Sequence, residues 1–129
     1  MKFIIFVLAA FTIAGWGILF VQVSENPKNS YVTIVDAENA GAIAAGWLPK
    51  YLPKSAIHIS ESHNMDTNQV WAAFKFKQGD TERVEQTCKK IAESSAGVKY
   101  LCPPYDTNTS TLVLKTNGEG YFQSFENGI

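Results

Sequence analysis

The residues best suited to chemistry lie in one short polar stretch that contains His58, Glu61, His63 and Asp66. Imidazole and carboxylate groups are common zinc ligands and common general acids and bases. In a regular strand alternate side chains point to opposite faces, so Glu61 and His63 would share a face that excludes His58. The two histidines therefore cannot hold one metal ion. We predict no metal site and no cofactor, with a small envelope hydrolase or metal-dependent enzyme as the alternative.

Motifs and charge narrow the function further. No G-x-S-x-G, H-E-x-x-H or P-loop pattern occurs in the chain, so no catalytic residue is assigned and an enzyme is not the favoured interpretation. The formal net charge is −1, from 11 basic and 12 acidic side chains. Such a balance argues against nucleic acid as a partner and against a polybasic attachment to anionic lipid.

Large amphipathic aromatic side chains are the stronger functional signal, because this residue type is enriched at binding hot spots. Pro49 and Pro53 stiffen the segment around them, which would preorganise a surface. The predicted binding surface consists of Trp47, Tyr51, His63, Asp66, Asn68, Trp71 and Tyr105. The alternative is structural: Trp47, Leu48 and Leu52 would plug one end of a small core.

The N-terminal segment is strongly apolar. Residues 3–21 are uncharged and number about the 20 that a membrane-spanning helix needs. A signal anchor over residues 1–23 is therefore expected, followed by a linker at 24–30 and a domain at 31–129. A cleaved secretory signal is the alternative. Lys2 before the span gives a slight bias toward a cytoplasmic N-terminus and an exported domain.

Periodicity predicts strands near residues 31–35, 56–62, 69–77, 98–102, 111–115 and 121–125. Two helices are expected between them. Asp36 would cap a helix over residues 37–46, and Asp80 would cap a longer helix that ends before Gly97. In the strand at 69–77, Val70 and its alternate neighbours should face the core, which leaves Trp71 beside lysines on the other face.

These elements predict an α+β fold, in which an N-terminal transmembrane helix precedes a small antiparallel sheet of four to six strands packed with two helices. Cys88 and Cys102 are the two cysteines of the chain. An even pair in an exported domain suggests one disulfide, here joining the second helix to the strand that returns from it. Two independent buried thiols are the alternative.

The segment GWLPKYLPKSAIHISESHNMDTNQVWAAFKF, residues 46–76, resembles a pattern in small bacterial envelope proteins of uncharacterised activity. The shared features are a W-L-P helix end, an S-A-x-x-I run, an H-x-x-D-T-N turn and a W-x-x-F-x-F strand. The resemblance covers about a quarter of the chain. It implies a bacterial source and an exported domain, and it supplies no catalytic residues.

The function expected from the sequence is a single-pass, membrane-anchored binding or interaction domain. It would be held in the bacterial inner membrane by residues 3–21, with its C-terminal domain in the periplasm and a protein partner in the cell envelope. If the signal is cleaved, the domain would be secreted. An immunity or inhibitor protein against an exported toxin or wall hydrolase is one specific form of this function.

Overall fold

The computed structural model describes residues 27–104 and 109–124, which form one sheet with two short helices. Its elements in chain order are β1 (Lys28–Thr33), α1 (Ile34–Asn39), β2 (Ile57–His63), β3 (Val70–Lys75), α2 (Glu82–Thr87), β4 (Lys89–Ser94), β5 (Gly97–Cys102), β6 (Ser110–Lys115) and β7 (Glu119–Ser124). Strand β1 thus begins inside the segment expected to be a linker. Residues 40–56, between α1 and β2, are called the joint below.

The sheet has seven strands in the order β1-β2-β3-β7-β6-β5-β4, and every neighbouring pair is antiparallel. Strands β1 to β3 form one meander and β4 to β7 form a second. The two meanders meet where β3 pairs with β7, from Trp71 opposite Gln123 to Lys75 opposite Glu119. All the strands therefore share two continuous faces.

The inner face of the sheet carries the core. Its buried apolar side chains are Ile59, Val70, Ala72, Phe74, Tyr100, Leu112, Leu114 and Phe122. The joint covers this face with Ala42, Leu48, Leu52 and Ala56, and α2 adds Val84. A Cβ atom on Gly120 would lie 2.2 Å from the Phe74 ring, so only glycine allows that ring to lie across β7.

The predicted fold class is wrong, because the described chain is mostly one antiparallel sheet with few helical residues. The sheet has seven strands rather than four to six, and each helix is only six residues long. Within residues 27–104 and 109–124, no helix is long and apolar enough to cross a membrane. The expected span at residues 3–21 lies outside the described residues.

The first helix begins and ends earlier than predicted. Thr33, rather than Asp36, is the N-cap, and Asp36 completes a reciprocal capping box by accepting from the Thr33 backbone amide at 3.2 Å. Gly41 has φ of 80°, the left-handed conformation that ends helices, and Ala42 N donates back to Ala37 O. The alanine-rich stretch predicted as helix therefore forms turns of the joint.

The second helix is also shorter than its apolar stripe suggested. Val84 and Cys88 are buried, but Ile91, next on the predicted stripe, is 52% exposed. Residues Lys89–Ser94 instead pair with β5 as an edge strand in which every residue is exposed. Pairing with β5 gives the backbone of residues 89–94 hydrogen-bond partners within the protein. If these residues had continued the helix, the carbonyl groups of its last turn would have had to bond to water.

The Cys88–Cys102 disulfide is present, with a Cα–Cα separation of 4.4 Å. Cys88 directly precedes β4 and Cys102 ends β5, so the bond closes the open end of the β4–β5 hairpin instead of joining a helix to a strand. Cys102 is fully buried and Cys88 nearly so. The bond therefore fixes the outermost hairpin to the core.

A hydrogen-bond network holds the joint against the end of β3. Asp80 Oδ2 accepts from the backbone amide of Ser55 at 2.9 Å, and Ser55 Oγ accepts from the backbone amide of Lys77 at 2.9 Å. Hydrogen bonds from Ser55 lower the pKa of Asp80, with smaller contributions from Lys54 and Arg83. Asp80 was predicted to cap the second helix, but its carboxylate instead binds the backbone of Ser55 in the joint, and Thr81 is the N-cap residue.

Removal of the disulfide should weaken the whole domain. We expect Cys88→Ser/Cys102→Ser to lower the free energy of unfolding by about 2–4 kcal/mol, because the unfolded chain regains the freedom that the cross-link removes. Urea denaturation followed by tryptophan fluorescence would measure this. Reduced wild-type protein should match the double variant, and an unchanged unfolding midpoint would contradict the expectation.

Asp80→Asn should reduce stability in a pH-dependent way. Because the pKa of Asp80 is lowered on folding from its ordinary 3.8, its stabilisation is present above that value and is lost as the pH falls through the folded pKa. We expect wild type to exceed the variant by ~1 kcal/mol at pH 7, with the difference shrinking in acid. Urea denaturation at several pH values measures it. A difference that grows in acid would contradict this sign.

Candidate functional site

A buried polar cluster lies at the β1–β2 edge of the core. Glu61 is 2% exposed, and its carboxylate contacts His63 Nδ1 at 2.5 Å. Its second oxygen accepts from Asn29 Nδ2 at 3.0 Å, because Asn29 and Glu61 are register partners. Buried carboxylates need such partners, since an unpaired charge in the core is costly. Within the cluster, Asn29 and His63 therefore provide a hydrogen-bond partner for each carboxylate oxygen of Glu61.

Aromatic rings cover this polar cluster. The Trp47 indole stacks on the His63 imidazole, with ring centroids 4.3 Å apart and planes inclined by 10°. Tyr31 lies nearby, and its pKa is raised first by burial and second by the charge of Glu61. Trp47 and His63 are therefore structural partners within the fold, which agrees with the core-plug interpretation for Trp47.

The histidine-rich stretch does not converge on one catalytic centre. His58 is exposed, with φ of 49°, at an irregularity between Ile57 and Ser60 where the register shifts by one residue. This bulge also turns Ile57 outward to 40% exposure, although regular alternation would have placed it with Ile59. Among the described residues, no group of three or more His, Cys, Asp or Glu side chains could hold a metal ion.

The other predicted binding residues lie in two places. Tyr51 and Asn68 line a cavity of about 610 Å³ at the end of the sheet, where the Tyr51 ring meets Phe122 edge-on at 6.4 Å. Asp66 is exposed on a turn organised by Asn64, whose side-chain oxygen accepts from the Asp66 and Thr67 amides. Tyr105 lies outside the described residues. The six described members of the predicted surface therefore lie at separate places in the fold.

The outer face of the sheet presents a second, shallower cavity of about 490 Å³. Trp71 is 37% exposed and Tyr121 is 41% exposed at its centre. They are diagonal neighbours on adjacent strands, because Trp71 pairs with Gln123 and Ala73 with Tyr121. Hydroxyl and amide groups surround the two rings, contributed by Ser30, Ser60, Ser62, Thr111 and Gln123. This set of residues is called the outer-face cavity.

Tyr121 is held in place by charged neighbours. Its hydroxyl donates to Glu119 Oε2 at 3.1 Å, and the Lys115 Nζ lies 4.9 Å from the centre of its ring. The hydrogen bond to Glu119, and then the charge of that carboxylate, raise the pKa of Tyr121. An aromatic ring fixed from both sides loses little side-chain entropy on contact with a partner.

Sequence reasoning placed Trp71 beside lysines on the face opposite the core but missed Tyr121 and Asn29 as site residues. Tyr121 joins Trp71 only through the β3–β7 pairing, which no local pattern reveals. Asn29 lay in the expected linker. The alternation of Gly120 and Phe122 with Tyr121 was the one available signal that Tyr121 faces away from the core.

Comparison with known families gives a match to part of the chain. A family model described as the YbbD head domain matches residues 25–75, which is less than half of the chain. The similar region contains β1 to β3, α1 and the joint, and therefore Trp47, the buried cluster and Trp71. Tyr121 lies outside it. No curated protein and no solved structure matches the chain.

Replacement of the buried carboxylate should be costly. We expect Glu61→Leu to lower the free energy of unfolding by about 3 kcal/mol, because it leaves the buried His63 and the partly buried Asn29 without their acceptor. Urea denaturation measures the loss, and Glu61→Leu/His63→Leu should cost less than the sum of the two single changes. The exposed control Glu38→Leu should change stability by less than about 0.5 kcal/mol. A loss under about 1 kcal/mol for Glu61→Leu would contradict the structural role.

Proposed function

We propose that this chain is an extracytoplasmic binding domain whose protein partner docks on the outer face of the sheet. The observation that carries the proposal is the outer-face cavity, where Trp71 and Tyr121 stand exposed among hydroxyl and amide groups. The helices and the joint cover the inner face in the described part of the chain. On the outer face of the same residues, Trp71 and Tyr121 stay partly exposed, which supports this face as the docking side.

The composition of this face suits a protein rather than a small ligand. Protein interfaces centre on a few aromatic anchors surrounded by a polar rim, and tryptophan and tyrosine are the commonest anchors. Trp71 and Tyr121 occupy the centre of the cavity, and Ser60 and Gln123 belong to its rim. The cavity opens onto the sheet surface, so a protein could fill it and also cover the strand positions around it.

The disulfide supports a location outside the cytoplasm. Buried disulfides persist in oxidising compartments and are rare where thiol reductants are abundant. The Cys88–Cys102 bond closes the hairpin at one edge of the sheet, so the fold would be stabilised by an oxidising environment in which this bond persists. An inhibitor of an exported toxin or wall hydrolase is one specific form of such a domain, and the identity of its partner would establish it.

Site-specific photocrosslinking in the cell envelope of the source would test the docking face. A benzophenone amino acid at Gln123, beside Trp71, should give one discrete protein adduct, whereas the same probe at Glu38, on the helix-covered side, should give none. Trp71→Ala should reduce the Gln123 adduct by about tenfold or more, as expected for loss of an anchor worth over ~1.4 kcal/mol. Trp71→Phe should retain part of the yield.

The matched control is Met65→Ala, which removes another exposed apolar side chain, 68% exposed, from the turn between β2 and β3. It should leave the Gln123 adduct unchanged. Urea denaturation of each variant separates loss of binding from loss of fold. Equal adducts from Gln123 and Glu38, or an adduct insensitive to Trp71→Ala in folded protein, would refute the proposal.

A further inference from the structure

The outer face of the sheet carries a strongly one-sided charge. The register places five lysines on it, one from each of five strands: Lys28, Lys75, Lys89, Lys99 and Lys115. Glu119 is the one carboxylate among the described strand positions of this face. Because the whole chain has a net charge of only −1, the basic groups are concentrated here by the fold and not by composition.

The acidic groups lie mainly on the other side of the molecule. Asp36 and Glu38 belong to α1, and Glu82 and Glu85 belong to α2, which lies with the joint on the inner side of the sheet. Burial raises the pKa of Tyr100, whose ring points to the inner face, and the charges of Glu85 and then Glu93 raise it further. The outer face is therefore predominantly basic, whereas the other side of the sheet carries these carboxylates together with Lys50, Lys54, Arg83 and Lys90.

The lysines are spread widely around the aromatic centre. Lys75 pairs with Glu119 on the strand of Tyr121, Lys115 contacts the Tyr121 ring, and Lys99 is the register partner of Val113, which lines the cavity. Charges distributed around an apolar centre steer a partner of opposite sign and fix its orientation. A compact phosphate site would need its cations to converge on one point, which these strand positions do not do.

We propose that the partner of the outer face is a protein with an acidic surface around an apolar contact, so that the lysines steer it onto Trp71 and Tyr121. This inference rests on the proposed function and specifies the chemistry of its partner. A protein is favoured over an anionic membrane because the rings sit among fixed hydroxyl and amide groups that give directional hydrogen bonds. A fluid layer of headgroups does not need such fixed groups.

The test compares two pairs of substitutions of equal charge. Lys75→Gln/Lys99→Gln removes two charges from the outer face, and Lys50→Gln/Lys54→Gln removes two exposed charges from the joint. In the full chain with the benzophenone probe at Gln123, the first pair should slow adduct formation at least about threefold at low salt, and the second should not. The difference should vanish near 1 M salt, where the screening length falls to about 3 Å. Polyglutamate should compete, because it occupies the lysines of the outer face.

The outcomes separate this inference from the proposed function. An adduct lost with Trp71→Ala but insensitive to salt and to Lys75→Gln/Lys99→Gln would overturn the acidic partner and leave the docking face intact. Absence of any face-specific adduct would overturn both. Cosedimentation of the chain with vesicles of phosphatidylglycerol and phosphatidylcholine, lost with Lys75→Gln/Lys99→Gln and without a protein adduct, would identify a membrane surface instead.

Discussion

The antiparallel pairing of β3 with β7 is the constraint on which the rest of the structure depends. It joins two meanders that are separate in sequence and gives them one inner and one outer face. On the inner face it lays the Phe74 ring over Gly120, where no other residue would fit. On the outer face it brings Tyr121 beside Ala73 and diagonal to Trp71. The same register between β3 and β7 thus determines both the packing of the core and the arrangement of the candidate binding surface.

The buried cluster of Asn29, Glu61 and His63 has a different part in the molecule. Its groups are those that acid–base chemistry would use, yet Trp47 covers the imidazole, and both carboxylate oxygens already have partners. A polar cluster of this kind adds less net stability than an apolar one, but it tolerates only one register of β1 against β2. It fixes the edge of the sheet on which the joint rests.

The sequence was informative wherever local alternation decides the structure. The alternation in β3 correctly put Val70 and Phe74 in the core and Trp71 outside, because each burial choice there depends on period two alone. The sequence pattern was misleading at β4, an exposed edge strand without alternation. The spacing of Val84, Cys88 and Ile91 is that of one face of a helix, so a helix was predicted there. The pattern also failed at the His58 bulge and at the contact of Trp71 with the Tyr121 strand, since both depend on pairing partners distant in the chain.

The edge strand β4 has a consequence for how the protein behaves in a crowded compartment. A free sheet edge can recruit strands from other chains, which leads to aggregation. Here the edge begins with Lys89 and Lys90 and is interrupted by a register shift between Lys90 and Ala92. Charge and irregularity both discourage a further strand from adding there. Self-assembly through the backbone is therefore opposed at this edge, and recognition is left to the side chains of the broad face.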